Sequence, residues 1–195
     1  WGGGGVVGTE GGGKGDEAME KEDGQACTKM QADCRCGINP RLREEGFPGC
    51  TVYDCFGAGQ QVSQVNFGGQ DWRRDPRTAE QMFEVFPIMR QLHELLWYLT
   101  EALTLQSAGP LHSELSLALD ETERLTHHSP GPLMELDVAA LRRDINALLL
   151  RTSELVRADV RRQKLDRRGA DLIGANLKGA DLRGASLRGA RLIGA

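Results

Sequence analysis

Aromatic residues are scarce in this chain, at 5% of 195 positions, so whatever cores it forms are modest. No apolar run approaches the roughly 20 residues needed to cross a bilayer. The longest, Leu95-Leu96-Trp97-Tyr98-Leu99, is far shorter. No charged-then-apolar leader of the secretory kind opens the chain, so the expected setting is the cytoplasm. Trp1 stands where Met is usual and Ala195 falls in phase with a repeat, so the chain reads as a fragment. Catalytic patterns are missing too. Gly57-Ala58-Gly59 lacks the third glycine of a nucleotide-binding fingerprint and reads as a turn. After His93-Glu94, Trp97 occupies the place of the second His of a zinc protease, so a helix-surface His is expected. No Ser-His-Asp or Cys-His pairing is evident, so no catalytic residue is assigned and no enzyme is expected.

Charge is unevenly spread. The net charge is −4, but residues 1–150 hold 13 Lys/Arg against 23 Asp/Glu, whereas residues 151–195 hold 11 against 5. An acidic body therefore leads into a basic end. Within it, Arg161, Arg162, Lys164, Arg167 and Arg168 read as a solvated face at a helix C-terminus, which the macrodipole favours. No aromatics interleave there for base stacking, which argues against nucleic acid as a partner.

Four segments follow from composition and periodicity. Residues 1–26 are Gly-rich and acidic, and disorder is expected. Residues 27–77 form a Cys-rich, loop-rich segment, with a short extended piece near Gln61–Phe67. Residues 78–168 are expected to hold three helices packed as an antiparallel bundle. In the first, Thr78 and Gln81 fit a capping box. Met82, Val85, Met89, Leu92, Leu96, Leu99 and Leu103 follow in steps of three and four. Pro87 is expected to kink or delay its first turns. The second helix spans about His112 to Thr126 on Leu115, Leu119 and Leu125, and His127-His128 are expected in solvent at its end. The third carries Val138, Leu141, Ile145, Leu148, Thr152 and Leu155 and runs to about Asp166.

Residues 169–195 have period five, which fits neither a strand nor a helix. Ala recurs at Ala170, Ala175, Ala180, Ala185 and Ala190, and Leu at Leu172, Leu177, Leu182, Leu187 and Leu192. These ten residues are the expected repeat core. The pattern resembles the pentapeptide-repeat family. That resemblance implies the first coil of a right-handed quadrilateral parallel β-helix, with four repeats to a coil. It also implies an interaction or scaffold role with a protein partner, and homo-oligomers through the helices or the coil end. Some members mimic DNA with an acidic surface and bind topoisomerases. Here the outward positions hold Lys178, Arg183, Arg188 and Arg191 against Asp171 and Asp181, which moves the reading away from that alternative.

Five cysteines, Cys27, Cys34, Cys36, Cys50 and Cys55, cluster near the start. Without a secretion signal, clustering favours metal or redox use over disulfides. Gly24-x-x-Cys27, Cys36-x-Ile38, Gly49-Cys50 and Tyr53-x-Cys55 resemble half of a Cys-rich zinc- or iron-chelating domain. The resemblance implies Cys27, Cys36, Cys50 and Cys55 as metal ligands, with Cys34 as the spare, holding zinc or an iron–sulfur cluster. A metal- or redox-dependent regulator is the corresponding alternative function. The wider run from Cys36 through Trp72 to Leu92–Trp97 is similar to an actinobacterial-type architecture that sets such a module ahead of a pentapeptide solenoid.

Overall fold

A computed structural model describes residues 27–31, 35–158, 160 and 166–195. The expectation for residues 1–26 and for Cys34 lies outside the described residues, as do Arg161, Arg162 and Lys164. The described chain is mainly helical. In order come α1 (Gly49–Val52), α2 (Ala58–Gln60, running on as a π-helical stretch to Asn66) and α3 (Pro76–Thr104). Then follow α4 (His112–Thr126), α5 (Pro130–Met134) and α6 (Val138–Ala158).

The long helix starts earlier than its capping-box signal. Asp75, in extended conformation, accepts the Arg77 N–H at 3.1 Å, and Pro76 fills the first turn, where a missing N–H costs nothing. Thr78 instead donates its hydroxyl to the Asp75 carboxylate at 2.8 Å. Pro87 does not end the helix, which continues to Thr104. The burial stripe also drifts. Early on it follows Met82, Val85, Met89 and Leu92, but later the buried positions are Leu95, Leu99 and Ala102, leaving Leu96 and Leu103 half-buried. A straight helix turns about 20° per seven residues relative to a 3.5-residue repeat, so a strict heptad cannot stay on one face.

Two apolar clusters form the core. One gathers Ala58, Val62, Phe67, Met82, Val85, Phe86, Met89 and Leu92 with Leu125 and Leu133. Val62 and Phe67 join it by helical turns, so the extended piece expected at Gln61–Phe67 is instead helical packing against α3. The second gathers Leu95, Leu99, Ala102, Ala108, Leu111 and Leu115 with Ile145 and Leu148. Each fully buried Leu contributes about 1.5–3 kcal/mol by leaving water, so these clusters carry the helical body. Glu114 near the start of α4 pairs with Arg151 in the latter half of α6 at 2.5 Å, so those helices run antiparallel. Glu94 of α3 pairs with Arg142 of α6, also at 2.5 Å. Leu141, early in α6, packs against the cluster of early α3, and Leu148 and Leu155 pack against that of late α3, so α3 and α6 run the same way.

The repeat is where the expected fold is overturned. Among the described residues there is no β-sheet and no strand-built β-helix, only a succession of turns joined by isolated bridges. Each repeat closes a turn in which the Ala N–H donates to the Leu carbonyl three residues back, as from Ala175 to Leu172 and from Ala180 to Leu177. The turn requires positive φ at its third residue, and Gly174 (φ 66°) and Gly179 (φ 74°) supply it. Asp or Asn in the second repeat position accepts the N–H two residues on, as in Lys178 N–H to Asn176 Oδ1 at 3.2 Å and Arg183 N–H to Asp181 Oδ1 at 3.2 Å. With a turn in every five residues, the extended pieces between are too short to be strands. Parallel bridges form at Asp166–Ser186 and Asp171–Arg191. Hydrogen bonds such as Leu172 N–H to the Arg191 carbonyl (2.9 Å) tie the two ends of the segment together.

Candidate functional site

The cysteines come first, because sequence assigned them ligand roles. Cys27 and Cys55 are half-buried, Cys36 and Cys50 are exposed, and no disulfide joins them. Met30 and Cys36 face each other in an antiparallel bridge. Cys50 sits in α1, and Cys55 packs against the first apolar cluster. Among the described residues no three His, Cys, Asp or Glu side chains gather where one metal ion would bind. A tetrahedral site needs four ligands within about 2.3 Å of the metal, so the side chains as placed do not fit one.

The turn after Cys55 is built more tightly. Phe56 takes a positive φ of 52°, unusual for a bulky residue, and is followed by Gly57 at 84°. The Asp54 carboxylate accepts the Phe56 N–H at 2.7 Å. His93 Nδ1 lies 2.8 Å from the Phe56 carbonyl oxygen, which only accepts, so Nδ1 carries the proton. His93 is thus not the surface residue expected. Burial pushes its pKa below 6.5, the Phe56 hydrogen bond opposes this, and nearby His127 adds to it. His127 itself is exposed, as expected, whereas His128 is half-buried beside Arg124.

A larger feature lies along the C-terminal part of α3. A groove of about 640 Å³ runs between α3 and α6 and is closed at one side by Arg188 of the repeat. Leu95, Tyr98 and Ala102 line it from α3, Leu105 from just past the helix end, and Arg142, Asn146, Leu149, Ser153 and Val156 from α6. Spacings of three and four place each set on one face of its helix. Tyr98, Leu105 and Val156 are each close to 40% exposed, which gives the floor an uncovered apolar surface. Sequence reading missed these residues because it followed one stripe per helix. The signal was present in the adjacent apolar pairs Tyr98-Leu99 and Leu148-Leu149, which make each apolar face wider than a single packing seam.

The repeat meets the helical body at this groove. Arg188 donates to Asn146 Oδ1, and a Cβ placed on Gly184 would lie 3.2 Å from Val160 Cγ2. None of the repeat Leu and Ala side chains is as buried as the helical core. Leu172, Leu177, Leu182 and Leu187 are half-buried, Leu192 is exposed, and so is Ala180. Ser186 is the buried repeat residue, at 7% exposure. Outside, Asp166 and Asp181 are held down to about 2, chiefly by side-chain hydrogen bonds from Arg168 and Arg183. Asp171 pairs with Arg191 at 3.3 Å. The carboxylates of the repeat are thus paired with its own arginines.

Residues 168–195 match the family model described as "Pentapeptide repeats (8 copies)", so the C-terminal segment is of the pentapeptide-repeat kind. A relative, "Uncharacterized protein YybG" of Bacillus subtilis (strain 168), is 55% identical over 153 residues, 78% of this chain. The chain spans about half of that relative's length, at 55%. No solved structure matches. Among the described residues no helix is long and apolar enough to cross a membrane.

Proposed function

We propose that this chain is an interaction and scaffold module in which the helical body anchors a pentapeptide-repeat segment and offers a docking surface beside it. The observation that carries this reading is the α3–α6 groove, whose wall includes a repeat residue, Arg188. An uncovered apolar trough between two helices is the kind of surface that receives a partner's apolar face. The repeat match supports the same class, because repeat segments present extended surfaces. A photo-crosslinking amino acid placed at Tyr98 or Leu149, in cells that make the full-length protein, tests the reading. The two positions are expected to trap one common protein that the same probe at Leu117, 71% exposed and outside the groove, does not. Identical products at all three positions would remove the reading.

A further inference from the structure

The groove's chemistry narrows its occupant. Its floor is apolar, and its charged lining is one-sided: Arg142, Arg157 and Arg188 against Glu101. Two of these arginines are each already paired with a carboxylate. Arg142 pairs with Glu94 and Arg157 with Glu154, at 2.5 and 2.6 Å, and both acids stand outside the lining. Arg188 differs. Its contact is the neutral amide of Asn146, no carboxylate among the described residues pairs with it, and it stands where the repeat meets the helices. The Arg142 side chain keeps 41% of its surface open to solvent, so it retains donors for an incoming group.

The groove's shape narrows the occupant further. Leu95 to Ala102 spans seven residues of α3, about 10 Å at 1.5 Å per residue, or close to two helical turns, and Leu105 extends the floor just past the helix end. The facing stripe on α6 runs the same way alongside it. Two parallel ridges with an apolar trough between them are the receiving half of a helix-in-groove contact, in which an amphipathic helix lays its apolar face down. Three helices, α3, α4 and α6, thus leave a fourth packing position open beside the repeat.

Resting on the interaction reading above, we propose that the α3–α6 groove binds an acidic amphipathic helix of a partner protein. Its apolar face covers Tyr98, Leu105, Leu149 and Val156, and its carboxylates meet Arg188 and Arg142. Arg188 makes the site a joint property of the helical body and the repeat.

The probe is a synthetic 20-residue peptide with Leu at helical spacings of three and four and Glu elsewhere, beside a matched peptide with Lys in place of Glu. Binding to the whole chain is followed by fluorescence anisotropy at low and high salt. The Glu peptide is expected to bind about tenfold or more tighter than the Lys peptide, and to weaken as salt rises. Arg188→Glu should remove most of that preference, and Leu149→Asp should abolish binding of both peptides. Arg143→Glu, exposed on α6 and outside the lining, should change neither, and circular dichroism checks that each variant folds.

Equal binding of the two peptides, or an unchanged preference in Arg188→Glu, would overturn the proposal. So would tighter peptide binding after removal of residues 1–26, which would make this chain's own acidic segment the occupant. A dimer in sedimentation that Leu149→Asp dissolves would overturn it by showing a second copy in the groove. Crosslinking at Tyr98 and Leu149 to a common partner that lacks an acidic helix would leave the interaction reading standing and end this one.

Discussion

Arg188, in the fourth repeat, donates a hydrogen bond to Asn146 in the middle of α6, joining residues 42 positions apart. The contact fixes where the repeat segment sits relative to the helices. It also puts a cation at the mouth of the apolar groove between α3 and α6. Gly184 lies in the preceding turn and packs against Val160, so the seam has both a polar and a close-packed element.

That seam can be tested by two matched substitutions. Gly184→Ala and Gly179→Ala both force a Cβ onto a residue with φ above 70°. The backbone strain of roughly 1 kcal/mol is common to both. Only at Gly184 would the Cβ also meet Val160, within 3.2 Å of Cγ2 and 3.4 Å of its backbone carbonyl. Hydrogen exchange of the repeat amides is expected to accelerate in both variants and distinctly more in Gly184→Ala. Equal acceleration would mean that the seam contributes nothing.

A second prediction concerns acid. Asp181 is held at about 2 against an ordinary 3.8, first by the side-chain hydrogen bond from Arg183. A carboxylate with a depressed native pKa contributes its stabilisation fully above the unfolded value and loses it as pH falls through the native one. The Arg183–Asp181 contacts should therefore be intact at pH 5 and fade between about pH 4 and pH 2. In Arg183→Gln the Asp181 carboxyl should titrate closer to 3.8, as followed by carboxyl carbon NMR.

His93 should act in the same direction at higher pH. Burial lowers its native pKa below 6.5, so folding favours the neutral ring. Its contribution is complete above pH 6.5 and declines as pH falls through the lower native value. The urea midpoint is expected to drop between pH 7.5 and pH 5, and His93→Gln should shrink that drop. An unchanged pH dependence in the variant would show that other groups cause it.

For the core, Leu99→Ala removes a fully buried side chain from the second apolar cluster. It should cost about 2–5 kcal/mol in chemical denaturation. Leu117→Ala, at a position 71% exposed, should stay within about 0.5 kcal/mol of the parent.

The amphipathic patterns of α3, α4 and α6 and the five-residue period are local in origin, and for that reason they were legible in the sequence. A helix face shows as steps of three and four whatever it packs against. A turn that needs Gly at positive φ repeats its Gly wherever the turn repeats, as at Gly174 and Gly179. The β-helix that the family resemblance implied is a different matter. Strands require partners along their length, and among the described residues the segment offers isolated bridges such as Asp171–Arg191 instead.

The sequence by itself determined which residues turn, which faces are apolar and where charge changes sign, because each depends on neighbours a few positions away. Only the tertiary structure decided that Leu95 and Ala102, rather than Leu96 and Leu103, are buried, because helix twist moves the stripe as partners change. It also decided that His93 turns inward to the Phe56 carbonyl. And it brought Arg188 beside Tyr98 and Leu149 to make a groove, since residues from three distant segments converge only when the helices pack.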